Sequence, residues 1–170
     1  MPKRLILFRH AKSSWEHDVE DHERPLSGRG IKAAPLMGAW LAANDLVPDF
    51  ALVSTARRAQ QTWALAEAGF GQPIPRQDTR LIYEASPITI LAEVRHSGKT
   101  ARTLIVVGHN PGLEELAQLL MKDDGGEAGA QLREKFTTAA VAVLSFKGNW
   151  TDLGQHSCSL AHFMAPKMLG

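Results

Sequence analysis

The chain has 170 residues, 44% of them hydrophobic, enough for one domain with a sizeable core. Nineteen Lys and Arg against eighteen Asp and Glu leave a formal charge of +1, so no global field draws it to nucleic acid or an anionic membrane, and any attraction for anions must be local. Cys158 is the only cysteine, which excludes an internal disulfide and fits a reducing compartment. The apolar run after Lys3 and Arg4 is too short for a signal-peptide core and no run is long enough to span a bilayer, so a soluble cytoplasmic protein is expected.

In chain order, strand-like and helix-like segments alternate, with no repeat and no low-complexity linker. Arg4 to Phe8 is a continuous apolar strand candidate, ending at Arg9 and His10. A helix follows over Ile31 to Ala43, where Pro35 predicts a late start or a kink. Phe50 to Val53 is the second strand, Arg57 to Ala68 the next helix, and a short strand is expected near Thr79 to Ile82. Ser86 and Pro87 form an N-cap and first-turn pair for a helix over Pro87 to Val94. Thr103 to Val107 is a second continuous apolar strand, followed by a helix over Leu113 to Met121. The stretch "DDGGEAGAQLREK", Asp123 to Lys135, reads as a charged, glycine-rich surface loop. Ala139 to Phe146 and Ser157 to Met164 complete the strands. The alternation predicts an α/β domain, and unbroken apolar strands predict a sheet covered by helices on both faces.

Two strands share one design. "LILFRH" delivers His10 at its far end, and "LIVVGHNPG" delivers His109 just before a turn. In an open parallel sheet the C-terminal ends of the strands share one edge, where ligands bind. "ALVSTARRAQQT" leads to that edge too, running through Ser54 and Thr55 into a helix whose first turn carries Arg57 and Arg58. Arg9, His10, Arg57 or Arg58, and His109 would then surround one pocket. Guanidinium forks match phosphate oxygens, and a helix N-terminus adds a favourable dipole, so the pattern points to a phosphoryl group. Taken singly, a histidine at a strand end is usually structural; the matched placement of two is what carries weight. His17 and His22 lie among acidic residues in "HDVEDHERP", but their spacing fits neither a helical pair nor a zinc motif. Gly28 and Gly30 follow no strand and form no nucleotide-binding loop.

"RHA", "RPLSGRG", "VSTARRAQQT" and "VVGHNPG", in this order, resemble the histidine phosphatase superfamily, and the short chain is similar to its SixA-type phosphohistidine phosphatase branch. The resemblance runs from Leu5 to about Phe163. It implies a single domain over residues 1–170 with the phosphoglycerate mutase-like fold, a three-layer α/β/α sandwich on a mostly parallel sheet. It implies that His10 is the nucleophile, that Arg9 and Arg58 bind phosphate, and that His109 is the second histidine of the site, leaving Arg57 to solvent. Glu84, in "RLIYEASP", resembles an acidic residue that other branches place on this loop; a carboxylate suited to a helix start is the other reading. Ala11 departs from the glycine usual after the nucleophile, which bears on subfamily.

The chemistry agrees with these roles. A neutral imidazole attacks phosphorus in line and gives a phosphohistidine that water hydrolyses. Arg9, Arg58 and a protonated His109 would supply charge stabilisation without a metal or other cofactor. His10 then needs an acceptor, a backbone carbonyl, to hold the proton on its other nitrogen. The expected activity is a metal-independent phosphatase acting on phosphohistidine of a signalling or phosphotransfer protein. The alternatives are a phosphatase for small O-phosphate esters or sugar phosphates, and a non-catalytic phosphate-binding module; neither nucleic acid nor membrane is expected as a partner.

Overall fold

The fold follows from how the two apolar strands divide their side chains. In β1 (Lys3–Arg9), Leu5 and Leu7 point to one face of the sheet, and Ile6 and Phe8 to the other. In β4 (Thr103–Gly108), Leu104 and Val106 likewise oppose Ile105 and Val107. All eight side chains are fully buried, so each face needs its own cover of helices, and a one-residue slip would exchange the two cores.

The computed structural model describes residues 1–170. Its six strands form one sheet in the order β3-β2-β4-β1-β5-β6, the others being β2 (Phe50–Ser54), β3 (Arg76–Thr79), β5 (Val141–Phe146) and β6 (Ser159–Met164). The first four positions in that order are parallel, while β5 pairs antiparallel with β1, and β6 antiparallel with β5. Helices α1 (Gly28–Ala43) and α2 (Arg57–Glu67) contribute to the core that holds Ile6 and Phe8. Helices α3 (Pro87–Gly98), α4 (Gly112–Leu120) and α5 (Gly126–Glu134) contribute to the one that holds Leu5 and Leu7. This is the expected three-layer α/β/α arrangement on a mostly parallel sheet.

Three local expectations are corrected. Of the two alternatives at Pro35, the late start is excluded: the first helix begins at Gly28, where the Ser27 hydroxyl accepts from the Gly30 amide, and it continues through Pro35. An interior proline costs a helix about 3 kcal/mol. Burial of Ala34, Met37 and Leu41 against the sheet and α2 outweighs this, at roughly 1.5–3 kcal/mol for each large side chain. The short strand lies at Arg76–Thr79, earlier than expected, and Arg80–Ile82 is a 3-10 turn. Its polar residues are exposed at the sheet edge and only Thr79 is buried, so no apolar pattern marks it. The stretch from Asp123 to Lys135 is not a loop throughout, because Gly126–Glu134 forms α5. Gly125 and Gly126 take left-handed φ values of 74° and 62° to turn the chain, and Leu132 inserts into the core beneath.

Candidate functional site

Parallel register places the two histidines side by side. Arg9 of β1 is level with Gly108 of β4, so the next residue of each strand, His10 and His109, leaves the sheet at the same height. The His10 amide donates to the Gly108 carbonyl at 3.0 Å, and the two imidazole centroids are 5.2 Å apart. Strand β2 ends beside them, and the Ser54 hydroxyl is hydrogen-bonded to His109 Nε2 at 2.7 Å. Two glycines allow the flanking segments to close in. A Cβ at Gly112 would collide with the Ala85 carbonyl, and one at Gly30 with the Lys12 carbonyl.

Hydrogen bonding fixes the His10 ring. Nδ1 stands 2.8 Å from the Ala11 carbonyl, an acceptor, and therefore carries the proton. Nε2 is left with its lone pair, toward which Arg58 Nε–H points from 3.4 Å. Arg58 is in turn gripped by Asp21: Nη1 donates to the Asp21 carbonyl at 2.7 Å and Nη2 to Oδ2 at 3.0 Å. The same carboxylate accepts from Arg24 Nε at 3.0 Å and from the Tyr83 hydroxyl. Arg24 also donates to Ser13 Oγ, and Arg9 Nη1 to the Phe136 carbonyl at 2.9 Å. Arg9, His10, Arg24, Arg58, Glu84 and His109 all line one pocket of about 270 Å³.

The electrostatics keep both rings neutral. Burial, with the cationic Arg58, Arg9 and Arg24 acting in the same direction and the Ala11 hydrogen bond against it, pushes His10 down to about 4. Burial, then His10 and Arg58, push His109 down to about 3. The expectation of a protonated His109 is therefore corrected for the protein alone, where desolvation disfavours its cation. At Asp21 burial acts upward, but hydrogen bonds from Tyr83, Arg24 and Arg58 prevail and hold the carboxyl well below its usual range. Tyr83 is raised, by burial first and then by Asp21, and so remains a donor. Two buried nitrogens of the site, Arg9 Nε and His109 Nδ1, have no hydrogen-bond partner. Such groups cost about 1–3 kcal/mol each.

The structure thus brings together Arg9, His10, Arg58 and His109, with Glu84 on an exposed, left-handed turn (φ 53°) at the same pocket. Arg57 points to solvent and Arg58 is buried. His17 is exposed, and His22 meets Thr55 Oγ1 at 2.8 Å through Nε2 and the Glu23 carboxylate at 3.5 Å through Nδ1. Sequence reasoning missed Asp21, Arg24, Ser54 and Tyr83 as members of the site. Two signals were available: the motif "RPLSGRG", which begins at Arg24, and the acid-and-arginine run "EDHERP", whose histidine draws attention to metal binding instead.

A parallel-sheet edge that presents two imidazoles among three guanidiniums suits a phosphoryl group, because arginine forks match phosphate oxygens. Comparison with known proteins agrees: residues 5–82 match the model of the histidine phosphatase superfamily (branch 1). A SixA protein from Nakamurella multipartitia is 33% identical and superposes with a TM-score of 0.86 over 98% of this chain and 97% of its own. A SixA protein from Agrobacterium tumefaciens is 28% identical, with a TM-score of 0.81 over 98% and 99% of the two chains. An uncharacterized protein of Mycobacterium tuberculosis is 42% identical over 162 residues, 94% of this chain and 100% of its own. The chain belongs to the histidine phosphatase superfamily, in its SixA-type branch, and this membership supports phosphatase activity. No helix is long and apolar enough to cross a membrane.

Proposed function

We propose that the protein is a metal-independent phosphatase that works through a covalent phosphohistidine on His10, with phosphohistidine on another protein as its substrate. The observation that carries this reading is the His10 tautomer. Nδ1 keeps its proton on the Ala11 carbonyl, so Nε2 is the unprotonated nitrogen, with Arg58 Nε–H as its neighbour at 3.4 Å. In the first displacement Nε2 forms a bond to phosphorus as the bond to the leaving group breaks. The leaving group takes up a proton and departs. In the second, water attacks the same phosphorus, the N–P bond breaks, and the electron pair returns to Nε2 as inorganic phosphate leaves with the water oxygen. Arg9, Arg24 and Arg58 stabilise the equatorial oxygens. His109, neutral in the protein alone, gains a proton once the phosphoryl charge stands beside it, because an adjacent anion favours the cationic imidazole.

Two features favour a protein substrate. The pocket, about 270 Å³, receives a phosphoryl group and a ring while the body of the substrate remains outside. At its wall stands Trp15, 74% exposed and stacked 3.5 Å from the Arg24 guanidinium, an aromatic of the kind enriched at protein interfaces. Glu84, which lines the same pocket, favours the second reading, small O-phosphate esters, because an alkoxide leaving group needs a proton donor.

The test is hydrolysis of an aryl phosphate, an alkyl phosphate and a phosphohistidine protein, in the presence and absence of a strong chelator. Brief incubation and denaturation are expected to trap an acid-labile, base-stable phosphoenzyme that His10→Ala abolishes together with turnover. Chelation leaves the rates unchanged. A label that survives in His10→Ala, or activity that depends on an added divalent ion, overturns the mechanism.

A further inference from the structure

A second cavity of about 260 Å³ adjoins the pocket just described, and Lys12 and Thr138 line both. The shared wall is short and rigid. Lys12 is two residues beyond His10, and its carbonyl is tied to the Ser27 amide at 2.8 Å. Thr138 precedes Ala139, whose amide donates to the Arg9 and His10 carbonyls at 3.0 Å each. Besides Lys12 the cavity is lined by Arg29 from the first turn of α1, Lys135 at the end of α5, and Lys167 in the C-terminal 3-10 helix. No acidic residue lines it. The four ion pairs of the protein involve His22, Arg24, Arg58 and Arg76, so none of these four cations is neutralised. In a chain whose formal charge is only +1, four unpaired cations from four separate segments on one cavity are a concentrated local field.

We propose that this cleft is a second anion subsite, which selects substrates carrying a further negative group beside the phosphoryl group that is transferred. The inference rests on the phosphatase reading of the neighbouring pocket and adds the substrate's charge pattern to it. A substrate whose phosphoryl group sits by His10 extends along Lys12, and its second anion reaches Arg29, Lys135 and Lys167. The chemistry required is a phosphate or carboxylate, supplied either by a small molecule with a second anionic group or by acidic side chains flanking the phosphorylated residue of a protein. Lysine ammonium groups suit this role, because they are mobile point charges that attract anions without demanding one geometry.

The test compares wild type with Lys135→Glu/Lys167→Glu and with the milder Lys135→Gln/Lys167→Gln, both at exposed positions. The probes are orthophosphate, pyrophosphate and tripolyphosphate, used as competitive inhibitors of aryl monophosphate hydrolysis. Tripolyphosphate is expected to inhibit wild type roughly tenfold more tightly than orthophosphate, an advantage that shrinks in the Gln variant, vanishes in the Glu variant and falls with added salt. Turnover of the aryl phosphate and inhibition by orthophosphate stay unchanged. Two substrate arms identify the source of the anion: an acidic phosphohistidine peptide and a small bisphosphate, each against a neutral counterpart. Selective slowing of either anionic substrate in the Glu variant supports the subsite. Equal weakening of all three inhibitors, or no weakening of any, overturns it. If wild type fails to hydrolyse the aryl phosphate, the phosphatase reading fails by itself, and calorimetric binding of tripolyphosphate to the same variants still decides the subsite.

Discussion

Arg58 Nε stands 3.4 Å from His10 Nε2 while both terminal nitrogens of the same guanidinium are held by Asp21. The cation is thus anchored at one end and aimed at the imidazole by the other. Its neighbour Arg57 begins the same helix but points to solvent. Arg58→Ala is expected to lower kcat/KM on the order of a hundredfold, the cost of losing a donor aimed at transition-state charge. Arg57→Ala is expected to cost little. Steady-state kinetics on an aryl phosphate separates them, and the reverse ranking would show that the wrong arginine has been placed in the site.

Asp21 offers a test of positioning. It touches Arg58, Arg24 and Tyr83, and an acceptor-only carboxylate is what three donors require. Asp21→Asn keeps the size but brings N–H groups into a ring of donors. We expect kcat to drop roughly tenfold, consistent with a displacement of catalytic groups rather than their loss, with Asp21→Glu recovering part of it. Loss of protein stability with kcat unchanged would mean that Asp21 only holds the loop in place.

The two neutral histidines set a pH dependence whose sign can be worked out. His10 and His109 ionise near 4 and 3 in the folded protein against an ordinary value of 6.5. Between those limits the unfolded chain binds more protons than the folded one, so stability rises with pH. Stability is therefore full above about 6.5 and declines as pH falls toward 3. Thermal denaturation across that range should show Tm falling with acid, and His109→Gln should make the decline shallower throughout, leaving at its acid end the contribution of Asp21, whose carboxyl is held below its usual range. Catalysis by neutral His10 should persist to lower pH than an ordinary imidazole permits, with the acid limb of kcat/KM near 4.

Much of the site was legible because strand periodicity and parallel topology are local signals with a global consequence. Once β1 and β4 are strands of one parallel sheet, His10 and His109 must share an edge. Choosing Arg58 over Arg57 needed the family motif, although helix phase alone buries one and exposes the other. Asp21 and Tyr83 were not legible: they meet across 62 positions of sequence, from segments without periodic pattern, and only tertiary packing joins them. The helix α5 was missed for a similar reason. Its glycines and charges read as a loop, and the burial of Leu132 that stabilises it depends on core residues from other segments of the chain.

Glu84 asks what the leaving group is. Expelling a serine or sugar alkoxide without a proton is difficult, and removing a positioned acid from an enzyme built for such substrates costs ~10² to 10⁴-fold. Imidazole leaving from phosphohistidine is far less basic and takes its proton from solvent or from His109 once that ring is charged. Glu84 lines the pocket on an exposed turn with φ 53°, and it lies outside α3, which starts at Pro87 with Ser86 as its cap. Substitution there should leave the helix intact. Glu84→Gln keeps the length and hydrogen-bonding reach of the side chain and removes the transferable proton. We expect it to slow alkyl phosphate hydrolysis much more than hydrolysis of an aryl phosphate or a phosphohistidine protein. Equal losses on all three would assign Glu84 to the phosphate cage. A selective loss on alkyl phosphates, in a wild-type enzyme that already prefers them to phosphohistidine, would move the substrate assignment to small O-phosphate esters.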